Sequence, residues 1–437
     1  MPDYLLINSP IFESPTTKER SLPPMGQAYI ATALNNSGFE TLMLDCVRDG
    51  IGIDGVIAVI EKNKPAFIGL NIFSQNSELV KRIVESIQID CTVFIGGLAA
   101  FYLFDEITLW NTNNRLIVIA GEGEKIIPAI CKKDVTETPC KSIGNKYLYC
   151  VDETSIYYPG NLDEIDLDVS MLSSYNIENH FGDKEANIIS SRGCIYNCAF
   201  CGGARSVNRF SSPRFRSKQS LEKEIQRILE LDFEVRSIRV LDDLFLRTEM
   251  FEEAILLFES FDSLMWRGMA HIIPILKNND KIDDLYKSGC KELFIGIESG
   301  SEVIRRKINK IGSVEQVFDA VKMILNAGIN VKGYFMMGFP EETEEDLNQT
   351  LGLAKELKRL SGSTKGSFRS SSFQFRPYHG TKLYKTILEK RGTIGCIQEN
   401  KELSALIGRQ QFNFSSGNYS DVSDEVLNRY LLELQML

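Results

Sequence analysis

The sequence predicts two α/β units in one chain, and three observations support that prediction. Short apolar runs alternate with helical patterns along residues 1–135, and the alternation returns with longer units from residue 186. Between them, residues 136–185 lose this periodicity and gather Asp, Asn, Tyr, Pro and Gly. The length of 437 residues, at roughly 150 per domain, allows about three folding units. We therefore expect a doubly wound, flavodoxin-like parallel sheet, a connector, a partial (β/α)6 barrel and a short helical tail.

The first unit, residues 1–135, has five candidate buried strands. They are residues 4–8, 41–45, 67–72, 92–97 and 116–120, with helical patterns such as 27–37 and 77–87 between them. This alternation favours a doubly wound sheet whose ligand crevice lies at the carboxyl ends of its strands. The loops there are residues 9–26, 73–76, 96–97 and 121–124. None has the glycine pattern of a dinucleotide or nucleoside triphosphate site, so binding of those ligands by such motifs is disfavoured.

The second unit, residues 186–385, has six candidate strands, at 187–191, 237–242, 268–273, 292–298, 330–337 and 371–375. One helix between them opens with the capping box Ser313-Val-Glu-Gln316 and ends at Ala327-Gly328, and another begins at Thr343. Six strand–helix units are too few for a full eightfold barrel, so an open, partial barrel is predicted. Residues 136–185 are predicted to contain a hairpin, and residues 386–437 to form the helical tail.

The charge balance limits the classes of partner. Lys plus Arg number 49 and Asp plus Glu 59, so the net charge is −10, and the chain has no overall attraction for phosphate backbones or anionic lipid. No apolar run approaches the length of a membrane span, and the first ten residues do not resemble an export signal. We expect a cytoplasmic protein that binds neither nucleic acid nor a membrane.

Three of the ten cysteines are clustered, in Ser191-Arg-Gly-Cys-Ile-Tyr-Asn-Cys-Ala-Phe-Cys-Gly-Gly203. An iron–sulfur cluster takes thiolates as its natural ligands, whereas structural zinc normally takes four protein ligands and would need one more from a distant residue. The spacing therefore favours a cluster over zinc, with inert thiols as the remaining alternative. Six basic and no acidic residues lie between Arg192 and Lys218. That segment would favour an anion, although a solvated basic loop explains most of it.

The cysteine motif, directly after the first strand of a predicted partial barrel, resembles the signature of radical S-adenosylmethionine (SAM) enzymes. Four later segments resemble, in order, parts of the branch of that superfamily with an N-terminal cobalamin-binding domain: Val240-Leu-Asp-Asp-Leu-Phe245, Gly296-Ile-Glu-Ser-Gly-Ser301, Gly338-Phe-Pro-Glu-Glu-Thr343 and Arg376-Pro-Tyr-His-Gly-Thr-Lys-Leu-Tyr384. Residues 22–26, 94–97 and 121–124 agree with the same branch. The resemblance covers most of residues 1–385.

The resemblance implies that Cys194, Cys198 and Cys201 hold a 4Fe–4S cluster, with SAM chelated to the open iron. One electron then cleaves SAM, and the 5'-deoxyadenosyl radical removes a hydrogen atom from the substrate. The implied SAM contacts are Phe200 and Gly338 beside the adenine, Asp242 or Asp243 at the ammonium group, and Glu298 and Ser299 at the ribose hydroxyls. Ordinary alternatives exist for these residues: core packing for Phe200, helix capping for either aspartate, and a plain turn for Gly338.

The first unit resembles a cobalamin-binding domain but lacks the Asp-x-His-x-x-Gly motif, since no histidine precedes His180. The lower face of the cobalt would then be unligated, or bound by water or another side chain. We expect the nucleotide tail of cobalamin near Ser74, Gln75, Asn76, Gly96, Gly97, Gly121, Glu122, Gly123 and Glu124. The alternatives are a domain that kept the fold but lost the ligand, and glycine and polar residues that serve only as turns.

Three functions follow from these patterns. The first is cobalamin-dependent radical SAM methylation of an unactivated carbon or phosphorus atom in a small biosynthetic intermediate, with an external electron donor such as flavodoxin or ferredoxin. The second is a cobalamin-independent dehydration, epimerisation, rearrangement or non-methyl transfer from SAM. The third is a noncatalytic iron–sulfur or zinc-binding module. The residues after 385 contain only Cys396 and leave little room for a nucleic-acid-binding or peptide-binding domain, which favours a small-molecule substrate. The patterns assign no catalytic side chain.

Overall fold

The computed structural model describes residues 2–13, 22–407 and 413–437. Part of the predicted loop 9–26, and five residues of the predicted tail, lie outside the described residues. The chain divides into two compact units. Unit 1 comprises Met1–Tyr175, Gly202–Arg214 and Tyr378–Tyr384, and unit 2 comprises Asn176–Cys201, Phe215–Pro377 and Lys385–Leu437. Two segments that the sequence placed with the barrel, 202–214 and 378–384, therefore belong to unit 1.

Unit 1 contains all five predicted strands, each within two residues of its predicted limits. Its elements are β1 (Tyr4–Asn8), α1 (Met25–Asn36), β2 (Thr41–Asp45), α2 (Cys46–Asp49), α3 (Ile53–Asn63), β3 (Phe67–Asn71), α4 (Ser77–Ser86), β4 (Thr92–Gly96), α5 (Phe104–Ile107), β5 (Arg115–Gly121), α6 (Ile126–Lys132), β6 (Lys141–Ile143) and β7 (Lys146–Val151). The strand order is β2-β1-β3-β4-β5-β7-β6. The hairpin predicted within 136–185 is formed by β6 and β7, and β7 extends this sheet by pairing parallel to β5.

The sheet of unit 1 is buried on both faces, which is why its strands are continuous apolar runs. In β1, Leu5 and Ile7 join one hydrophobic cluster, while Tyr4 and Leu6 join a second cluster on the opposite face. Helices therefore cover both sides, as the doubly wound prediction requires, and the fold class is confirmed. The carboxyl ends of the parallel strands meet at one edge, where the predicted ligand loops begin.

Unit 2 contains an open half-barrel. Its elements are β8 (Ile177–Glu178), β9 (Lys184–Ile188), β10 (Ser191–Arg192), β11 (Arg214–Phe215, shared with unit 1), α7 (Lys218–Leu231), β12 (Ser237–Val240), α8 (Phe251–Phe258), β13 (Met265–Ala270), α9 (Ile272–Lys277), α10 (Ile282–Lys287), β14 (Cys290–Glu298), α11 (Glu302–Lys307), α12 (Val314–Ala327), β15 (Asn330–Met337), α13 (Glu344–Ser361), β16 (Phe368–Gln374), α14 (Lys382–Arg391), β17 (Gln398–Glu399), α15 (Lys401–Ile407), β18 (Phe414–Ser415) and α16 (Asp424–Gln435).

The half-barrel sheet has the order β16-β15-β14-β13-β12-β9-β8, with six parallel strands and an antiparallel β8 at one edge. Alternate side chains face the helices or the interior. Trp266 stacks on Phe258 of α8 at 4.9 Å between ring centroids, so its neighbour Arg267 points to the interior. At the opposite edge, the tail helix α16 covers β16, and the Gln435 side chain accepts from the Ser372 N–H at 3.0 Å. That contact blocks an edge that would otherwise be open to strand pairing.

The predicted third strand of the barrel, 268–273, was wrong in its limits. The strand runs over Met265–Ala270, and His271 caps helix α9 by accepting from the Ile273 N–H at 3.2 Å. A short apolar run fits a strand or a helix equally well, so periodicity alone could not place this boundary. The predicted capping box at Ser313 is confirmed. Among the described residues, no helix has the length and apolarity needed to cross a membrane.

Candidate active site

The three clustered cysteines lie in one loop and are half-buried. The Tyr196 N–H donates to Sγ of Cys194 at 3.5 Å, and burial raises the pKa of the Cys194 and Cys198 thiols. Within the described ranges, no three His, Cys, Asp or Glu side chains converge as a single metal ion would need. A 4Fe–4S cluster needs no such convergence, because each thiolate, Cys201 included, binds a different iron. The donor set therefore fits a cluster better than a single tetrahedral zinc ion.

The cysteine loop is anchored at its start and its middle. Gly193 has φ +81°, which favours glycine, and its carbonyl accepts from the buried Arg247 guanidinium. The Ala199 N–H donates to the Ile308 carbonyl at 2.8 Å, and the Asn309 side chain donates to the same loop at 2.8 Å. These contacts join the loop to the segments after β12 and α11, so its geometry is set by two different strand–helix connections.

The two predicted aspartates have different environments. Asp242 is buried, and its carboxylate accepts from the Ser190 N–H at 2.8 Å and from the hydroxyls of Ser190 and Ser191 at 2.5 and 2.6 Å. Burial raises its pKa against the opposing effect of those bonds. Asp243 is accessible to solvent, and its pKa is raised by the protein atoms that crowd the carboxyl group and by Asp242. Asp242 thus holds the segment that leads into the cysteine loop, and Asp243 is the carboxylate available to a ligand.

The end of β14 is a strained turn. Glu298 has φ +65°, lies at a register shift of the strand, and pairs with Lys310 at 3.1 Å. Gly296 makes room for this pair, because a Cβ there would lie 2.5 Å from the Glu298 carboxylate and 2.9 Å from the Lys310 nitrogen. Ser299 is fully buried with its hydroxyl 3.1 Å from that of Thr350. Of the two predicted ribose contacts, Glu298 lies at the carboxyl end of β14 and pairs there with Lys310. Ser299 is buried against Thr350.

The segment after β15 is held by a buried acid that the sequence analysis did not single out. Gly338 has φ +94°, and its N–H and that of Phe339 donate to Glu342 Oε2 at 2.5 and 3.0 Å. Glu342 is fully buried, and burial raises its pKa to about 8. The predicted adenine neighbour Phe200 packs against Phe339, with ring centroids 5.7 Å apart. Gly338 and Phe200 are therefore brought together through Phe339.

A second missed residue is His271, at the end of β13. Its ring stacks on Tyr196 of the cysteine loop, with centroids 4.3 Å apart and planes at 30°. Burial lowers its pKa to about 3, and the nearby charges of Lys310 and Arg305 act in the same direction. The ring is therefore neutral at physiological pH. Its position directly after a barrel strand was a usable signal, but the predicted strand ran past it.

In unit 1, the loop after β3 is largely engaged in internal contacts. Asn76 is buried and accepts from the Phe73 N–H at 2.7 Å. The Ser74 hydroxyl lies 2.9 Å from both the backbone nitrogen and Nδ1 of His379. His379 belongs to the segment 376–384, which resembles the cobalamin branch, but the sequence did not indicate this contact. Gln75 differs, because its Oε1 is buried and has no partner among the described residues.

The glycine loops of unit 1 also differ from one another. Gly97 and Gly121 have φ +112° and +105°, and a Cβ on either would lie within 2.6 Å of a backbone carbonyl. Both are therefore required by the turn itself. A Cβ on Gly96, at the carboxyl end of β4, would meet nothing within 4 Å. Gly96 thus borders open space at the edge where a ligand is predicted.

The acidic loop after β5 is partly structural. Glu122 is buried and forms an ion pair with Arg214, whose guanidinium lies 4.2 Å from the centroid of the Tyr158 ring. Glu124 is also buried, and a Cβ on Gly123 would lie 2.7 Å from a packed isoleucine side chain. Since Arg214 belongs to the basic segment found in the sequence, this part of that segment serves an internal ion pair rather than an external anion.

Residues 188–354 match the family model described as the radical SAM superfamily, and residues 17–131 match the B12 binding domain. The chain therefore carries a radical SAM domain and a B12 binding domain. Its cofactors are accordingly a 4Fe–4S cluster and SAM, and it has a B12-binding domain in addition. The prediction of a radical SAM enzyme with a cobalamin-type first domain is confirmed, and the noncatalytic alternative is set aside.

Three relatives illustrate the match. An uncharacterized methyltransferase of Pyrococcus horikoshii is 25% identical over 383 residues, covering 83% of this chain and 78% of that protein. The cytidylyl-2-hydroxyethylphosphonate methyltransferase of Streptomyces wedmorensis is 22% identical over 435 residues, covering 84% and 78%. The radical SAM methyltransferase TsrM of Kitasatospora setae, solved with tryptophan and a SAM analogue, has a TM-score of 0.66 at 16% identity, covering 91% of this chain and 78% of that one. The last likeness establishes the fold.

Proposed function

We propose that this radical SAM enzyme methylates an unactivated carbon or phosphorus atom of a small biosynthetic intermediate, with cobalamin as the methyl carrier. The observation that carries the proposal is the presence of both domains in one chain, B12 binding at 17–131 and radical SAM at 188–354. Two relatives, of which this chain covers 78% each, are named as methyltransferases. The cobalamin-independent alternative would leave the first of these domains without a role.

In this proposal Cys194, Cys198 and Cys201 hold the cluster and leave one iron open to SAM. When bound, the cluster supplies the electron that cleaves SAM, and cobalamin supplies the methyl carrier. The protein's own contribution is to hold the loop in place and to keep water out. Arg247 fixes the loop at the Gly193 carbonyl, and the remaining anchors lie after α11.

The environments of the SAM residues suggest a role for each. Asp243 accepts from the SAM ammonium group, since a carboxylate is a strong charge-assisted acceptor. Glu298 accepts from the ribose hydroxyls, and Lys310 balances its charge. Phe200 and the backbone at Gly338 border the adenine. Asp242 and Ser299 act as positioning residues instead. The carboxylate of Asp242 already accepts three hydrogen bonds from Ser190 and Ser191, and the Ser299 hydroxyl bonds to that of Thr350.

For cobalamin, the fit rests on two features of unit 1. Gly96 borders open space at the end of β4, and the buried Oε1 of Gln75 has no partner among the described residues. An amide of the corrinoid could donate to that oxygen, because a buried acceptor without a donor is unfavourable. The other predicted residues, Ser74, Asn76 and Glu122 among them, hold the loops that surround this space.

We further propose a cytoplasmic enzyme that receives electrons from flavodoxin or ferredoxin and acts on a small molecule rather than nucleic acid. The net charge of −10 supports the last point, because it gives no overall attraction for a phosphate backbone.

Anaerobic reconstitution tests the cluster assignment. The wild-type protein should bind about four irons per chain and form 5'-deoxyadenosine from SAM and reductant. Cys198→Ala should lose both properties, while Cys396→Ala, an exposed cysteine elsewhere in unit 2, should retain them. Reductive SAM cleavage by Cys198→Ala would disprove the assignment.

Corrinoid binding tests the cobalamin assignment. Given hydroxocobalamin, the wild-type protein should retain the corrinoid through gel filtration and show its absorbance. Gly96→Leu should lose it without a change in melting temperature, because the new side chain fills open space. Gly160→Leu is the control, since a Cβ at that exposed turn also meets nothing within 4 Å. A wild-type protein that retains no corrinoid would favour the cobalamin-independent alternative.

A further inference from the structure

The interior face of the half-barrel carries more cations than carboxylates among the described residues. Strand register places Arg239 beside Arg267, Arg267 beside Glu292, and Lys332 beside Arg369. Glu185 also reaches this face, where it contacts Arg267. Four cations therefore share the face with two carboxylates. Three of these cations are arginines, which is one more than the number of carboxylates available for bidentate pairing.

Both carboxylates are already committed. Arg267 donates to Glu185 through two nitrogens at 2.7 and 2.6 Å, and to Glu292 at 2.8 Å. Arg369 donates to Glu292 through two nitrogens at 2.7 and 2.8 Å. These pairs show how this fold normally accommodates an arginine in its interior, which is by bidentate bonds to a buried carboxylate.

Arg239 is the exception on this face. It has no hydrogen bond or ion pair with any residue that the structure describes, and its Nε is completely buried. Its guanidinium lies 4.8 Å from the centroid of the Phe294 ring, and burial lowers its pKa. Its register partner Asn187 is also buried, with Oδ1 unpartnered among the described residues, and the two side chains do not bond to each other.

We propose that the substrate carries an oxyanion, a carboxylate, phosphate or phosphonate, and that Arg239 binds it inside the half-barrel. The proposal rests on the proposed function, since it takes this interior as the substrate site. A guanidinium whose Nε is buried without a partner is unfavourable, and a bidentate oxyanion would satisfy it in the way Glu185 satisfies Arg267. The rings of Phe294 and Tyr334, with centroids 6.0 Å apart, offer an apolar surface for the rest of the molecule.

The depth of Arg239 sets a minimum length for the substrate. The Arg239 guanidinium lies over the ring of Phe294, which is four residues before Glu298 on β14. At about 3.3 Å per residue, the guanidinium is roughly 13 Å below the end of the strand where SAM is placed. The substrate would thus hold its oxyanion deep in the barrel and present its reacting atom at the rim, as barrel enzymes present substrates to the carboxyl ends of their strands.

Thermal stability of the anaerobic, SAM-loaded holoenzyme, without electron donor, tests the proposal apart from catalysis. Inorganic phosphate, methylphosphonate and acetate are compared at matched ionic strength with acetamide as the neutral probe. At least one anion should raise the melting temperature of the wild type, and acetamide should not. Arg239→Gln should weaken the effective anion affinity at least tenfold, while Arg359→Gln, at an exposed arginine on α13, should leave it unchanged. Comparison of acetate with the two phosphorus anions identifies the group.

A second measurement excludes a merely structural role for Arg239. Arg239→Met should leave the melting temperature of the ligand-free enzyme unchanged or raise it, because it removes an unpaired buried cation. Arg267→Met should lower it, because buried Glu185 loses its arginine and buried Glu292 loses one of its two arginines. An Arg239→Met variant that is destabilised or unfolded, or an Arg239→Gln variant that responds to the anions like the wild type, overturns the proposal. Either result leaves SAM cleavage by the wild type as a separate test of the proposed function.

Discussion

Glu342 provides the sharpest test of the electrostatics in unit 2. One of its oxygens accepts the two N–H groups of Gly338 and Phe339, and the other is buried without a partner among the described residues. Burial raises its pKa to about 8 from an ordinary value of 4.5. Glu342→Gln keeps an acceptor for both N–H groups and removes the charge. The substitution therefore isolates the free energy of ionising this carboxyl group inside the fold.

The sign follows from proton binding. Between pH 4.5 and 8 the folded protein holds a proton on Glu342 that the unfolded chain has lost. The contribution of this proton to the free energy of unfolding is therefore full below pH 4.5 and is lost as pH rises through 8. One pKa unit is about 1.36 kcal/mol, so the wild type should lose about 2.3 kcal/mol relative to Glu342→Gln between pH 6 and 8. For a unit of this size that corresponds to a melting temperature lower by roughly 5 to 10 °C.

Calorimetry of both proteins at pH 6, 7 and 8 measures this difference. Comparison with the variant cancels other groups, such as His271, whose buried neutral ring favours the opposite pH trend. Glu341→Gln is the matched control, because the neighbouring Glu341 is exposed and paired with Lys307 and Lys390, which lower its pKa. Its melting temperature should differ from that of the wild type by the same amount at each pH. An equally constant difference for Glu342→Gln would refute the reasoning.

Two further predictions concern the site and the first sheet. Asp243→Asn should weaken SAM binding about tenfold in calorimetric titration with unchanged iron content, whereas Asp242→Asn should lower the iron content because one of the two oxygens that accept from Ser190 and Ser191 becomes a donor; equal effects on both measurements would contradict the distinction. Gly97→Ala should cost about 1 to 3 kcal/mol of unfolding free energy, since φ is +112° and the new Cβ would lie 2.6 Å from the Ile72 carbonyl; an unchanged denaturant midpoint would contradict it.

Much of the fold could be predicted because its strands are buried and its turns are marked. The strands 4–8, 41–45 and 330–337 were predicted with the limits they have, since each is an apolar or alternating run between polar turn residues. The third barrel strand was misplaced because the apolar residues after His271 continue into a helix. The pairing of β7 with β5 was also beyond the sequence, because which strands lie side by side depends on packing between distant segments.

The site could be predicted by residue type but not by environment. Asp242 and Asp243 are adjacent and chemically identical, and only the fold shows that serines saturate the first and solvent reaches the second. Ser299 carries a hydroxyl of the kind that binds ligands, yet this hydroxyl bonds to Thr350, 51 residues away. Lys310 had no signal in the sequence, because its role arises from its contact with Glu298.

Three unfavourable features of unit 2 lie on the half-barrel near the predicted ligand sites, and this links the separate proposals. Glu298 adopts a left-handed backbone, Glu342 has a buried oxygen without a described partner, and Arg239 has none for its guanidinium. By contrast, Arg267 on β13 and Glu292 on β14 are fully paired. All three lie on the interior face of the half-barrel, at the carboxyl end of β14 or in the turn after β15, although comparable residues such as Ser263, with φ +60°, and Ser404, with a buried hydroxyl lacking a described partner, lie elsewhere in the unit. Strain and unsatisfied polar atoms at a site where a ligand is expected are features that the bound ligand can relieve. On that argument, SAM and an anionic substrate complete the hydrogen bonding of the half-barrel, and saturating both should stabilise unit 2 more than either does alone.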